Sequence, residues 1–330
     1  MSPALVTRLY QGTPHNLRML GARLRRGELV AAPTETVYGL AGDAMNVAAC
    51  EAIFAAKERP ANDPLIVHVR QRAEAKKLTR WNDAAEAVAR AFWPGPLTMV
   101  LPKREHVPDI VTSGRPSVAI RMPQHPLFRK LLAAADRPLA APSANPFGYI
   151  SPTTAQHVKA SLGGRIRSIL DGGPCAIGIE STIVDLRDPA HPTVLRPGAI
   201  TADQLSRVLG VTVRAPKVNT VSHSQAADAP GMLERHYSPS TPLTLHDTLP
   251  GYTGTREARV YFHRADLSGS NEYSLSTDGS GESAARRMFA MLRELDAGDW
   301  SHIHLERVPR EDPWAPSVND RLRRAAARSS

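Results

Sequence analysis

Between two short apolar runs, Leu29 to Ala32 and Leu65 to Val69, the chain places a Pro33-Thr34-Glu35-Thr36 turn, a helix-forming segment and the cation pair of Lys57-Glu58-Arg59-Pro60. Apolar run, polar turn, helix and second apolar run predict a β-loop-α-loop-β unit whose polar residues collect where α/β proteins place their sites. The helix is expected from Val47 to Ala56, with Cys50, Ile53 and Phe54 on its buried side, and it must end before Pro60. Proline drives the preceding residue toward extended geometry, so Lys57 and Arg59 read as alternate residues of an extended stretch that face one way. Lysine offers a compact charge and arginine a planar fork, which together suit phosphate or carboxylate. A bare pair of cations is equally what a solvated surface carries.

The same reading extends along the chain. Helices are expected over Asn16 to Arg26, Asp83 to Phe92 with Asp83 as N-cap, Pro126 to Ala134 and Thr201 to Leu209. Strands are expected over Leu97 to Leu101, Ser117 to Ile120, near Leu139, and over Ile166 to Leu170, Ile183 to Leu186 and Val194 to Leu195. Prolines on both sides of Ser143-Ala144-Asn145 predict an extended segment with Ser143 and Asn145 on one face. Ser151 before Pro152 reads as a helix N-cap, its hydroxyl divided between capping and ligand binding. A composition shift from about Pro216 marks a linker, and a second alternation of strand and helix follows it: 258–262, 283–295, 302–305 and 320–327. The expected division is 1–215, a linker over 216–240, and a small α/β domain over 241–330.

With 42% hydrophobic residues the chain has ample material for a core. The charge is uneven. Residues 241–330 hold 12 Arg, no Lys and 13 acidic residues, a net −1, so the first 240 carry +10 and the whole chain +9. A basic first part fits anionic partners such as nucleotides or, as an alternative, a non-catalytic RNA-binding module, although an Arg-rich composition alone can give the same balance. Two cysteines, Cys50 and Cys175, supply neither a disulfide framework nor a zinc site, and both are expected to be buried. No signal-peptide pattern and no apolar run long enough to span a bilayer are present, so a cytoplasmic location is expected. The P-loop, the strand-linked G-x-G-x-x-G and the G-x-S-x-G elbow are missing, so any nucleotide site must be built differently. His302 and His304 share a strand face but have no third ligand nearby.

Read in order, the motifs resemble the threonylcarbamoyl-AMP synthase family, also called YrdC-like, in its long two-domain form. The resemblance rests on Pro33-Thr34-Glu35-Thr36-Val37-Tyr38-Gly39-Leu40, Lys57-Glu58-Arg59-Pro60, Pro64-Leu65-Ile66-Val67-His68-Val69 and Trp93-Pro94-Gly95-Pro96-Leu97-Thr98. It continues through Ala119-Ile120-Arg121-Met122-Pro123, Pro142-Ser143-Ala144-Asn145, Glu180-Ser181-Thr182-Ile183-Val184-Asp185 and Leu195-Arg196-Pro197-Gly198. Pro230-Gly231-Met232 and His236-Tyr237-Ser238-Pro239 resemble the long-form linker, and Asn319-Asp320-Arg321-Leu322 its C-terminal end.

The resemblance implies a twisted mixed sheet around a large concave basic cavity, with a small Rossmann-like C-terminal domain. It also implies a nucleotidyltransferase that condenses L-threonine, bicarbonate and ATP, accompanied by Mg²⁺, and delivers threonylcarbamoyl-AMP to a tRNA-modifying complex. By the same resemblance Lys57 and Arg59 would hold the phosphates as catalytic cations. Asp63, Ser117, Ser143, Asn145, Ser151 and Arg196 would complete the ATP pocket, and Tyr237 would close over it from the linker as a lid. Thr36, His68, Arg121, Ser181 and the backbone at Ala141 would hold threonine and its carbamate, with Arg121 on the threonine carboxylate. The carbamoyl transferases of hydrogenase maturation share the cavity fold, but they carry zinc fingers that two cysteines cannot supply.

Overall fold

The polar turn of the opening stretch is the tip of a β-hairpin. In the computed structural model, which describes residues 5–215, 237–251 and 254–327, β1 (Arg8–Gln11) and α1 (Pro14–Arg25) lead into β2 (Val30–Pro33) and β3 (Tyr38–Asp43). These two strands pair antiparallel with Pro33 opposite Tyr38. The Thr34 hydroxyl makes the turn by accepting from the amides of Thr36 and Val37 and donating to the Val37 carbonyl. The β-loop-α-loop-β expectation is thus corrected to ββαβ. Two glycines and an aspartate in Tyr-Gly-Leu-Ala-Gly-Asp disguise a strand that is buried along its whole length.

The chain continues through α2 (Val47–Lys57), β4 (Ile66–His68), α3 (Arg72–Leu78), α4 (Asp83–Phe92), β5 (Leu97–Pro102), α5 (Asp109–Thr112) and β6 (Ser117–Arg121). There follow α6 (Pro126–Ala135), β7 (Leu139–Ala140), α7 (Ala155–Leu162), β8 (Ser168–Asp171), β9 (Thr182–Asp185), β10 (Thr193–Arg196) and α8 (Ala202–Leu209). The strands form one ten-stranded mixed sheet in the order β1-β8-β2-β3-β7-β4-β6-β5-β9-β10. β2/β3, β3/β7, β4/β7, β5/β6 and β9/β10 are antiparallel and the other pairs parallel. The sheet agrees with the expected α/β class.

Two expected caps move. Asn82, rather than Asp83, caps α4 by accepting from the Ala85 amide. Thr154, rather than Ser151, caps α7 by accepting from the His157 amide. Ser151 is otherwise engaged: the neighbouring Pro152 carbonyl accepts from Tyr38, which ties this segment to the end of β3 before the helix can begin.

The second sheet is parallel, in the order β11-β14-β12-β13, from β11 (Leu243–His246), β12 (Glu257–Tyr261), β13 (Glu272–Ser274) and β14 (His302–Glu306). Helices α9 (Gly281–Asp296) and α10 (Ala315–Ala326) accompany it. Its core does not stop at the sheet. Val37, Ile150 and Ile179 of the first part join Tyr237, Phe289, Leu292 and Leu322 in a single buried cluster. The backbone approach is close: a Cβ on Gly178, whose φ is +85°, would lie 2.6 Å from the Ala285 carbonyl oxygen of α9. Arg293 of α9 donates to the carbonyls of Ile150 and Ser151 and to the Ser161 hydroxyl, while its guanidinium lies 4.9 Å from the Tyr149 ring centre. The linker and lid expected over 216–240 fall outside the described residues as far as position 236, and so does His236.

Candidate functional site

The hairpin tip, β4, the end of β6, the Ala141 to Ser143 segment, the start of β9 and the end of β10 converge on one cavity. It encloses about 530 Å³ of empty space, part of it open to solvent. Thr36, Arg59, His68, Arg121, Ala141, Ser143, Ser181, Arg196 and Tyr237, all singled out from the sequence, line it. Polar groups that converge from six separate segments on one concave wall are what a small-molecule site requires.

Each arginine is fixed by partners that leave its guanidinium at the wall. Arg121 donates from Nε to the Gly95 carbonyl (3.2 Å), from Nη1 to the Thr36 hydroxyl (3.0 Å) and from Nη2 to Glu35 Oε1 (2.7 Å). The second Glu35 oxygen accepts from the Gln124 amide. Arg196 donates to the Ser181 carbonyl (3.0 Å) and hydroxyl (3.1 Å), and that hydroxyl shares a 2.8 Å bond with the Thr98 hydroxyl. Arg59 donates to the carbonyls of Asp63 and Pro64 and forms a 3.0 Å ion pair with Asp63. Burial pushes the Asp63 pKa up against the opposing pull of Arg59, Lys57 and Arg196. Tyr237 has φ +66° and lies against Phe289 with ring centres 5.2 Å apart. Burial, followed by the Glu180 charge, pushes its phenol up to about 12.

His68 stands between these charges as a neutral ring. Its Nδ1 lies 3.2 Å from the Ile66 carbonyl, and burial, then Arg121, lower its pKa to about 3. An unfolded chain protonates this imidazole near the ordinary 6.5, so between that pH and about 3 the unfolded state binds more protons. The contribution to stability is complete above 6.5 and is lost as pH falls through that window. His68→Gln is expected to flatten the decline by up to about 1.4 kcal/mol per pH unit, read from urea midpoints between pH 7 and 4.

Lys57 is not on the wall. It is the last residue of α2, and Glu58 follows in the left-handed conformation (φ +53°), which turns the chain and sends Lys57 and Arg59 in different directions. The expectation of an extended pair sharing one face is therefore corrected. The buried Nζ donates to the carbonyls of Ser143 and Asn145, and burial, then Arg59, hold its pKa well below that of an ordinary amine. The extended Ser143 to Asn145 segment is corrected as well. The Asn145 amide bonds the Ser143 carbonyl, so the chain bends, and the Asn145 side-chain amide donates to the Pro146 and Tyr149 carbonyls away from the cavity. Asp63 stands behind Arg59. Ser117 opens β6 opposite Pro102, at the far end of that strand from Arg121. Ser151 is fully buried and donates to Glu180 Oε1 at 2.6 Å.

Two carboxylates escaped the sequence reading. Glu35 holds Arg121 from beside the cavity and Glu180 lines it. Both lie within the quoted motifs, but their partners are distant in sequence, Arg121 for Glu35 and Ser151 for Glu180. Among the described residues no group of three or more His, Cys, Asp and Glu side chains could hold a metal ion, and no helix is long and apolar enough to cross a membrane. The pair on β14 is accounted for by hydrogen bonding: His302 contacts the Thr244 hydroxyl, and His304 contacts His246 and Glu257.

Comparison with known proteins adds the lineage. The Sua5, YciO and YrdC family, described as "Telomere recombination", matches residues 22–198, and the "Threonylcarbamoyl-AMP synthase, C-terminal domain" matches residues 200–327. The chain belongs to the Sua5 branch of this family. It is 38% identical over 322 residues to the threonylcarbamoyl-AMP synthase of Pyrococcus abyssi, covering 94% of each chain. It is 44% identical over 231 residues to that of Bacillus subtilis, covering 69% of this chain and 66% of the relative. The solved P. abyssi Sua5 complexed with L-threonine superposes with a TM-score of 0.86 at 36% identity, covering 98% of this chain and 97% of that one. The Sua5 fold explains why the cavity wall and the C-terminal domain share a core: both family segments are present in one chain.

Proposed function

We propose that the protein is an L-threonylcarbamoyladenylate synthase, a nucleotidyltransferase that converts L-threonine, bicarbonate and MgATP to threonylcarbamoyl-AMP and pyrophosphate. The observation that carries this reading is the cavity with three guanidinium groups, of Arg59, Arg121 and Arg196, on its wall. The carboxylate of an amino acid, its carbamate and a triphosphate together need that density of cation, and the threonine-bound P. abyssi relative covers 98% of this chain.

In the proposed reaction Arg121 takes the threonine carboxylate on the second N–H of each terminal nitrogen, with the Thr36 hydroxyl beside it. The amine captures bicarbonate with loss of water, and neutral His68 can stand near it without repelling an ammonium or protonating the nascent carbamate. The carbamate oxygen attacks the α-phosphorus, and the bond to pyrophosphate breaks. Arg59 and Arg196 neutralise charge on the phosphates, and Tyr237 helps exclude water from an intermediate that hydrolyses readily. Among the described residues no side chain on the wall is placed as a dedicated base, so alignment and charge neutralisation carry the rate. Mg²⁺ enters as part of the nucleotide, because Glu35 and Asp63 are already paired with Arg121 and Arg59. The product would pass to a tRNA-modifying complex in the cytoplasm.

Pyrophosphate release from ATP is expected only when threonine and bicarbonate are both supplied. Release that ignores the omission of either one would refute the reaction, and salt-sensitive RNA binding without turnover would favour the RNA-binding alternative.

A further inference from the structure

The C-terminal helix α10 places one fully buried arginine, Arg321, against the back of the cavity wall. Its Nε donates to Glu180 Oε2 at 3.2 Å, and its Nη1 donates to the Pro197 carbonyl at the end of β10. Its guanidinium also lies 5.9 Å from the Tyr237 ring centre. Glu180 faces the cavity together with Arg196 and Tyr237, and its charge acts on both: it supports the cationic form of Arg196 and opposes ionisation of Tyr237.

A carboxylate on the wall of an anion site is unfavourable unless its charge is cancelled and its direction fixed. Ser151 holds one oxygen of Glu180 and Arg321 the other. Asn319 accepts from the Val308 amide and donates to its carbonyl, and Asp320 pairs with Arg321, Arg323 and Arg324. The Asn-Asp-Arg-Leu run at the chain's end is thus a mounting for one guanidinium.

We propose that Arg321 is a positioning residue of the nucleotide site: it neutralises and orients Glu180, so that the wall carrying Arg196 and Tyr237 presents positive charge to the ATP phosphates. The C-terminal domain then contributes to ATP binding without touching the nucleotide. This rests on the synthase reading for the identity of the anion, and the test separates the two.

ATP and threonine binding are measured by calorimetry on the full chain for wild type, Arg321→Met and Arg321→Met/Glu180→Gln, beside thermal melting and pyrophosphate release. Arg321→Met is expected to weaken ATP binding about 10- to 100-fold, by analogy with the loss of an outer partner that orients a metal-binding side chain, while threonine affinity stays within about twofold. The double variant, with both charges gone, is expected to return ATP affinity to within about threefold of wild type. Three results would overturn the proposal: unchanged ATP affinity in a folded Arg321→Met, parallel loss of ATP and threonine affinity, or a double variant as weak as the single. If Arg321→Met does not fold, the double variant decides alone, wild-type-like ATP affinity supporting the proposal and weak affinity refuting it. A wild type that binds ATP but releases no pyrophosphate refutes the reaction, and the binding ratios still decide the role of Arg321.

Discussion

Arg59→Ala is expected to lower kcat/KM for ATP by about 10²- to 10³-fold, the scale of removing one fixed charge-stabilising donor from a closed site. It is also expected to destabilise the protein by about 3–5 kcal/mol, because it leaves a buried acid without its cation. The two losses have separate causes in one side chain. One side of the guanidinium lines the cavity, and the other holds the Asp63 and Pro64 carbonyls and the Asp63 carboxylate. Arg59→Ala/Asp63→Asn should therefore recover most of the stability and none of the activity.

The pH dependence of the single variant adds a check. Burial already raises the Asp63 pKa and Arg59 opposes it, so without Arg59 the folded state holds the proton to higher pH. The folded state then binds more protons than the unfolded one, and the penalty grows as pH rises through that window and is relieved on acidification. Urea midpoints and pyrophosphate release across pH measure both effects. Turnover of Arg59→Ala within tenfold of wild type would remove Arg59 from the phosphate site.

The residues named through the family resemblance that line the cavity share a local signature. Thr36, His68, Arg121, Ser181 and Arg196 stand at the turn, tip or end of a strand, where alternation and chain reversal tell which way a side chain points. The residues that stand off the wall depend on geometry that leaves little trace in a single sequence. Glu58 is not glycine, yet its left-handed cap separates Lys57 from Arg59. Ser151 before Pro152 has the composition of a cap, but Glu180, 29 residues further on, takes its hydroxyl. β3 reads as loop because Gly39 and Gly42 lower its strand signal. A Cβ on Gly39 would stand 3.2 Å from that of Ala141, so close packing in the sheet, rather than a turn, accounts for the glycine. Arg321 was legible as part of a motif, whereas its contact with Glu180 comes from the docking of α10 against the first sheet.

Lys57 gives the sharpest contrast between an argument from sequence and one from structure. If its amine held the phosphates, removal would weaken ATP binding and leave the fold intact. The structure places the amine on two main-chain carbonyls, of Ser143 and Asn145, in the segment that lays Ala141 and Ser143 along the cavity. The Lys57 carbonyl in turn accepts from the Phe147 amide, so both ends of this residue pin the bend. Lys57→Met keeps the apolar stem and deletes only the donors. Leaving two buried carbonyls short of a partner costs about 1–3 kcal/mol each, so a loss of about 2–4 kcal/mol in urea stability is expected after partial relaxation. Ser143 and Ala141 then shift, threonine and ATP affinities fall together, and the amides of Asn145 and Phe147 exchange faster. A Lys57→Met protein with an unchanged urea midpoint, intact threonine binding and weakened ATP binding would return the amine to the phosphates and leave the buried tether without a role.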